Sequence, residues 1–253
     1  MQIISFGGTD PGKKRNNNED AFLVNDSLYL YAAADGIGGN EGGEVASRIA
    51  VETIAAVLPD LLSEKDRTPP AGFAPASDRV LSGLQQALAL ANKQIRIQRA
   101  DDPVLASMGT TLTALLIRKE RACIANIGDS RCYLLREEKL QQLTHDHSFV
   151  AEYVATGIMT KDEARMSPYR HVITRALGID DPVEPEFIEH QIHRDDRFLL
   201  CTDGLTEMLS DSEIKTIIST SSPEEAVKNL LHAANDQGGV DNITAVVVWV
   251  KEL

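Results

Sequence analysis

The sequence predicts an α+β fold in which two antiparallel β-sheets stack face to face with pairs of helices outside them. Two helical segments come early, a run of strands follows, and two more helices precede a last strand. The middle strands follow one another through short connections, without the crossover helices that a parallel, doubly wound sheet needs. Stacked antiparallel sheets with outer helices therefore fit this order of elements best.

Strand signals and then helix signals fill the first hundred residues. IISFGGT, AFLVN and SLYLYAAAD are short apolar runs typical of strands, with a polar Asn-Asp-Ser turn between the second and third. A helix is predicted over 44–62, followed by a loop rich in Pro and charge over 63–76. A second helix is predicted because apolar residues recur at steps of three and four over 81–95, and Ser77 or Asp78 would cap its start.

The rest of the chain is rich in strands and contains one polar excursion. Four consecutive runs predict strands: TTLTALLIR, RACIANIGD, RCYLLRE and KLQQLTHD. Residues 148–185 are polar and rich in Gly and Pro, which indicates a partly helical excursion. Strands FIEHQI and RFLLCTD follow, then two helices, the second with a capping box of Ser222 and Glu225, and the closing strand ITAVVVWV. We expect residues 1–253 to form a single domain.

Composition and charge disfavour several classes of partner. The formal net charge of −13 disfavours nucleic acid and anionic membranes, because both attract basic surfaces. No apolar run approaches the roughly 20 residues that span a bilayer, and the first ten residues lack the basic start of a signal peptide. The 3 cysteines include no Cys-x-x-Cys pair and favour reduced thiols in the core. We therefore expect a cytoplasmic protein without nucleic-acid or membrane partners.

Acidic residues recur where the predicted strands begin or end. Asp35, Asp129 and Asp203 directly follow strands, whereas Glu19-Asp20 and Asp241 directly precede them. Taken singly, an Asp-Gly pair after a strand is a turn signal. A carboxylate beside a buried strand, however, costs free energy unless it has a partner. Together, these residues can converge on one rim of a sandwich.

The chemistry of this set points to hard cations. Carboxylates without Cys or well-spaced His suit Mg²⁺ or Mn²⁺, and two such ions about 3.5–4 Å apart activate water and neutralise phosphoryl charge. Gly36 would let the backbone approach an ion closely enough for its carbonyl oxygen to bind. Arg15 carries a planar guanidinium that matches phosphate oxygens, with an ion pair to Glu19 or Asp20 as the alternative interpretation.

Ordered motifs extend over residues 5–250: TDPGKKRNNNEDAF, AAADGIGG, MGTTLTALLI, IANIGDSRCYLL, LTHDHS, VITRALG, LLCTDGLTEML and GGVDNITAVVV. They resemble the motifs of the metal-dependent serine/threonine phosphatases of type 2C, most closely those of the compact bacterial members. Single motifs are weak signals, but the complete ordered set is very specific. The resemblance implies two stacked sheets with outer helix pairs, in agreement with the element pattern.

The resemblance also implies roles for the acidic residues. Asp35 would bridge two ions, Mn²⁺ or Mg²⁺, with the Gly36 carbonyl on one of them. Asp203 and Asp241 would bind the other ion. Together with Asp203, Asp129 resembles the site of a third, weaker ion.

Three N-terminal residues resemble supporting members of the family's site. Glu19 would hold the first ion through water, and Asp20 would lie behind the direct ligands. Arg15 resembles the phosphate-binding arginine.

Two further features bear on the mechanism. Many eukaryotic members carry, after the Asp-Gly, a His that is proposed as the general acid, whereas Ile37 cannot donate a proton. We hypothesise that a water on the third ion, near Asp129, serves as the general acid instead.

Residues 148–173 resemble the family's mobile flap beside the active site. His145 and His147 flank Asp146 in LTHDHS, and the resemblance favours a hydrogen-bonding role near the site over zinc ligation.

The expected activity is hydrolysis of phosphoserine and phosphothreonine in proteins, without a covalent intermediate. Metal-activated water would attack phosphorus in line while Arg15 orients the phosphate. The partners would be phosphorylated proteins, including a serine/threonine kinase and its substrates, and the protein would be a monomer. A degenerate scaffold that only binds phosphopeptides is the alternative class, but such a scaffold usually lacks ligands that are present here. A phosphatase dedicated to one regulatory phosphoserine is a second alternative, which the sequence leaves open.

Overall fold

Two antiparallel β-sheets form the centre of the computed structural model, which describes residues 1–38, 42–63 and 79–253. The strands are β1 (Gln2–Asp10), β2 (Ala21–Asn25), β3 (Leu30–Ala34), β4 (Gly36–Ile37), β5 (Gly109–Thr110), β6 (Leu112–Arg118), β7 (Arg121–Ile127), β8 (Arg131–Arg136), β9 (Lys139–Gln142), β10 (Glu186–Gln191), β11 (Arg197–Cys201) and β12 (Ile243–Glu252). The helices are α1 (Gly42–Ser63), α2 (Arg79–Asp101), α3 (Phe149–Ala155), α4 (Lys161–Met166), α5 (Asp203–Thr206), α6 (Asp211–Thr220) and α7 (Pro223–Asp236).

The strand order within each sheet confirms the predicted α+β architecture. One sheet has the order β1-β12-β11-β8-β9 and the other has the order β10-β7-β6-β3-β2. Helices α1 and α2 pack on the outer face of the second sheet, and α6 and α7 pack on the outer face of the first. The layers are therefore α-β-β-α.

Alternation along the central strands produces three buried layers. In β3, Leu30 and Ala32 face the outer helices, whereas Tyr31 packs between the two sheets. In β11, Phe198 packs between the sheets and Leu199 packs against α6 and α7. Because successive side chains point to opposite faces, a strand covered on both sides requires an unbroken apolar run. This explains why these two strands lack alternating polar residues.

Several predicted boundaries shift by a few residues. The predicted strand SLYLYAAAD begins only at Leu30, because residues 26–29 form the turn of the β2–β3 hairpin and Tyr29 has a φ of 50°. The helix predicted over 44–62 extends over Gly42–Ser63. The rest of the loop predicted over 63–76 and both proposed caps of α2, Ser77 and Asp78, lie outside the described residues.

Other predictions are confirmed. The 148–185 excursion contains two short helices, α3 and α4. Ser222 and Glu225 form the predicted capping box. The cysteines are buried and free. Trp249 of β12 is half-buried, and the cations of Arg197 and Lys251 lie over its ring. Among the described residues, no helix combines the length and the apolar character that crossing a membrane requires.

Helix α2 offers a matched test of this core. Leu88 is 1% exposed and Leu90, two residues later, is 38% exposed. We expect Leu88→Ala to lower the free energy of unfolding by about 2–5 kcal/mol because it leaves a cavity, and Leu90→Ala to lower it by less than about 1 kcal/mol. Urea denaturation followed by circular dichroism measures both losses. Equal losses would contradict the packing of α2 described above.

Candidate active site

The carboxylates identified in the sequence lie close together because, in an antiparallel pair, the start of one strand lies beside the end of its neighbour. In one sheet, the start of β2 pairs with the end of β3, and the start of β6 pairs with the end of β7. In the other sheet, the end of β11 pairs with the beginnings of β8 and β12. Asp20, Asp35 and Asp129 therefore lie together at the strand ends of one sheet, and Asp203 and Asp241 lie together at the strand ends of the other.

Asp20 connects the two sheets at these strand ends. Its Oδ2 atom accepts hydrogen bonds from the Thr202 hydroxyl (2.8 Å) and the Thr244 hydroxyl (2.7 Å), both from the opposite sheet. Its Oδ1 atom is buried without a hydrogen-bond partner. Burial raises the pKa of Asp20 to about 7, and the charges of Asp203 and Asp241 add to this, although the threonine hydrogen bonds act against it. One carboxylate oxygen is thus left available to a further partner.

Three more carboxylates repel one another beside Asp20. Burial raises the pKa of Asp35 well above its ordinary value, and the charges of Asp20 and Asp203 raise it further. Burial likewise raises the pKa of Asp129, together with the charge of Asp203. The carboxyl groups of Asp35 and Asp203 interact directly, and Asp203 Oδ1 is also buried without a partner. Like charges at this density need either shared protons or cations.

Gly36 places backbone oxygens next to this cluster. A Cβ atom at residue 36 would lie 2.2 Å from the Gly43 carbonyl oxygen and 2.4 Å from that of Glu19. The Gly36 amide donates to the Glu19 carbonyl at 3.1 Å. A Cβ atom at Gly43 would in turn lie 2.5 Å from Glu19 Oε2. The two glycines therefore allow β4, the start of α1 and the Glu19 side chain to meet, and burial raises the pKa of Glu19.

Asn242 holds the N-terminal loop against the start of β12. Its side-chain oxygen accepts from the Glu19 amide at 2.8 Å, and its side-chain nitrogen donates to the carbonyls of Pro11 (3.0 Å) and Asn17 (2.9 Å). Because this side chain is 6% exposed, the loop on which Glu19 lies is fixed beside Asp241 by hydrogen bonds in a largely dry environment.

Arg15 has a different partner from the one considered in the sequence. Its Nη2 atom lies 2.7 Å from Asp241 Oδ2, so the alternative ion pair with Glu19 or Asp20 is wrong. The hydrogen bond to Asp241 raises the pKa of Arg15. The arginine side chain is 52% exposed, which leaves its remaining donors accessible to solvent.

The two histidines of LTHDHS lie outside the strands and differ in exposure. The His145 side chain is 83% exposed and pairs with Glu186. His147 is 8% exposed, and its Nδ1 atom accepts from the Gly128 amide at 3.2 Å. Burial and the charge of Arg175 lower the pKa of His147. His147 therefore fixes the loop that immediately precedes Asp129.

Sequence reasoning missed two residues beside Asp203. His171 Nδ1 lies 2.9 Å from Glu207 Oε1, and these side chains offer ligand atoms that lie with one from Asp203 within 4.8 Å of one another. Burial raises the pKa of Glu207, and the charge of Asp203 adds to it. Residues four apart are neighbours on a helix, so the spacing of Asp203 and Glu207 is a signal from which their proximity can be predicted. Nothing local in the sequence connects His171 with this site.

A cavity of about 610 Å³ opens over these carboxylates. Asp129, Asp203 and Glu207 line one part of it, while Arg165 and Arg170 from the excursion line another. The excursion predicted from the sequence therefore lies beside the carboxylates, and it brings positive charge to an otherwise acidic cleft.

Comparisons with known proteins identify the family. The family described as protein phosphatase 2C matches residues 8–245. The serine/threonine phosphatase stp of Listeria welshimeri is 37% identical over 244 residues, which cover 95% of this chain and 93% of that protein. The crystal structure of the serine/threonine phosphatase PstP/Ppp of Mycobacterium tuberculosis has a TM-score of 0.86 and 37% identity, with 99% of each chain covered.

A second solved structure concerns the ions directly. The catalytic domain of the phosphatase PstP, crystallised with two manganese ions, has a TM-score of 0.84 and 36% identity, again with 99% of each chain covered. The fold, the full-length family match and the identity to named enzymes agree with one another. The chain therefore belongs to the protein phosphatase 2C family and is a serine/threonine phosphatase.

Proposed function

We propose that this enzyme hydrolyses phosphoserine and phosphothreonine in proteins with the help of Mn²⁺ or Mg²⁺ ions held at the shared rim of the two sheets. The observation that carries the proposal is the group of mutually repelling carboxylates in which Asp203 Oδ1 is buried without a partner. Oxygen atoms of this kind are the ligands that hard divalent cations prefer. The two manganese ions in the PstP relative support the same assignment.

The residues present fit two ions. We assign Asp35 to both ions, the Gly36 carbonyl to the first, and Asp203 and Asp241 to the second. Glu19 would hold the first ion through water. When bound, the ions supply a water of lowered pKa and neutralise charge on the phosphoryl group.

Two further carboxylates would support this pair of ions. Asp20 would accept hydrogen bonds behind the ligands through its free Oδ1 atom. Asp129 would join Asp203 at a third, weaker site.

The chain's own side chains orient the substrate. Arg15 can present two parallel donors to phosphate oxygens, because only its Nη2 atom is engaged by Asp241. Ile37 has no proton to give, so we assign the proton that reaches the leaving alcohol to a water near Asp129. His147 acts indirectly, by fixing the backbone at Gly128. Each of these residues serves to bind, orient or protonate without forming a covalent bond to phosphorus.

The biological scope follows from the substrate. We propose that residues 1–253 act as one catalytic domain and as a monomer, and that the enzyme reverses a serine/threonine kinase on phosphorylated proteins in the cytoplasm. The free, buried thiols support a reducing compartment. A dedicated substrate with a single phosphoserine is compatible with the same chemistry.

Stability should depend on pH and cations together. A carboxyl whose pKa is raised on folding destabilises the folded state as pH rises from its ordinary value through the raised one. For Asp20 these values are 3.8 and about 7. We therefore expect the Tm of the cation-free protein to fall between pH 5 and 8. Mn²⁺ at a hundredfold excess over its Kd should restore about 2.7 kcal/mol, or about 5–10 °C, at pH 7.5 and less at pH 5.

Calorimetry with and without Mn²⁺ measures this effect. Asp20→Asn is the control, because it removes one titrating carboxyl and should flatten the fall of the cation-free Tm. A cation-free Tm that rises steadily from pH 5 to 8, or an equal Mn²⁺ effect at both pH values, would contradict the assignment of the carboxylates to cations.

Asp203→Asn tests the ligand assignment directly. We expect it to lower Mn²⁺-dependent kcat/KM on p-nitrophenyl phosphate and on a phosphothreonine peptide by at least about 100-fold, because loss of an oxygen ligand removes several kcal/mol of charge stabilisation. Asp195→Asn makes the same change at the exposed, opposite end of β11 and should keep wild-type activity. Unchanged rates in Asp203→Asn, or wild-type rates that stay the same in the presence of a chelator, would contradict the metal-dependent mechanism.

A further inference from the structure

The cleft continues from the carboxylates into a second cavity. The first cavity, of about 610 Å³, is lined by Asp129 and Asp203, and the second, of about 830 Å³, lies against α3 and α4. Arg131, Asp146 and Arg165 line both, so they mark the place where the two cavities meet. Each volume falls in the range of about 300–1,000 Å³ that is typical of ligand sites. Together they form a path longer than a phosphorylated side chain alone requires.

The arginines along this path differ in how far their charge is neutralised. Arg131 is fully engaged, since its Nε and Nη2 atoms contact Asp146 at 3.0 and 2.7 Å. Arg165, in the last turn of α4, is exposed and makes neither an ion pair nor a hydrogen bond within the described part of the chain. Arg170 is exposed too, and within the same ranges its side chain bonds only to the Ser167 carbonyl, at 3.4 Å. Arg165 thus faces the cleft without a carboxylate partner among the described residues, whereas the charge of Arg170 acts on Glu207.

The surroundings of these cations suit a polypeptide. Met166 is 84% exposed and Tyr169 is 58% exposed, directly beside Arg165 and Arg170 in the sequence. Met, Tyr and Arg are the residue types enriched where proteins contact one another. The second cavity adds apolar walls from Ala151, Val154 and Ala155 of α3. A peptide with one end at Asp129 and Asp203 would therefore pass Arg170 and Arg165 and then reach these walls.

We propose that Arg165, with Arg170, binds acidic side chains that flank the phosphorylated residue, so that the enzyme prefers acidic phosphopeptides. The inference rests on the proposed function and names its substrate class. Charge complementarity within the cleft carries it: Arg165, which has no ion-pair partner among the described residues, lines both cavities, and Arg170 lines the first. A purely structural role of Arg165, as a cation near the last carbonyls of α4, is the competing explanation.

The test uses phosphothreonine peptides of one length whose flanking residues are aspartate, alanine or lysine, on either side of the phosphothreonine. The wild-type enzyme with Mn²⁺ should show the highest kcat/KM on aspartate-flanked peptides. Arg165→Glu should lower the ratio of kcat/KM between aspartate and lysine peptides at least about fivefold, through KM, because attraction becomes repulsion. The wild-type ratio should also shrink as salt is added.

Arg194→Glu is the matched control. Arg194 is exposed and precedes β11 at the end opposite Asp203, so its reversal changes the net charge equally but should keep the wild-type ratio. An Arg165→Glu ratio within twofold of wild type, with normal turnover, would overturn the proposal, and so would an equal fall in both variants. A purely structural role of Arg165 would lower Tm without changing the ratio, which also counts against it. Failure of the wild type to dephosphorylate any peptide would instead overturn the proposed function.

Discussion

Mutual repulsion among carboxylates at the junction of the two sheets is the constraint on which the rest of the structure depends. Asp20, Asp35, Asp129 and Asp203 are driven by burial and by one another toward protonation. A fold that only needed to be stable would not place them together. The surrounding polar contacts keep them in place. The hydrogen bonds from Thr202 and Thr244 to Asp20 join the two sheets beside the other carboxylates.

The buried apolar layers offset the free-energy cost of this repulsion. Strands such as β3 and β11 are buried on both faces, so the sandwich contributes hydrophobic stabilisation throughout its length while the charges remain at one end. The glycines act at the same end. Gly36 and Gly43 have backbone or carboxylate oxygens within 2.5 Å of where a Cβ atom would lie, so a larger residue would separate the elements that form the rim.

The sequence predicted the parts of this design that have local causes. Apolar runs located β3 and β11, and an acidic residue at a strand end placed Asp35 and Asp203 on a rim once the strands were antiparallel. Contacts between distant segments have no such signal. Arg15 meets Asp241 across 226 positions, and His171 reaches Glu207 from the irregular excursion. Such pairings depend on how loops pack, which periodicity does not encode.

Acidity at the site creates a second problem, which concerns the substrate. A phosphorylated protein segment is an anion, and it approaches an enzyme whose net charge is −13. Beyond roughly 8 Å, physiological salt screens much of this repulsion, so what matters is the charge within the cleft. There, bound cations would reverse the sign at the carboxylates, and Arg15 lies at their edge. Arg165 and Arg170 extend positive potential outward along the excursion. The excursion over 148–185 thus supplies positive charge that the carboxylates at the rim cannot supply. Sequence variation in the excursion can change substrate preference without disturbing the carboxylates.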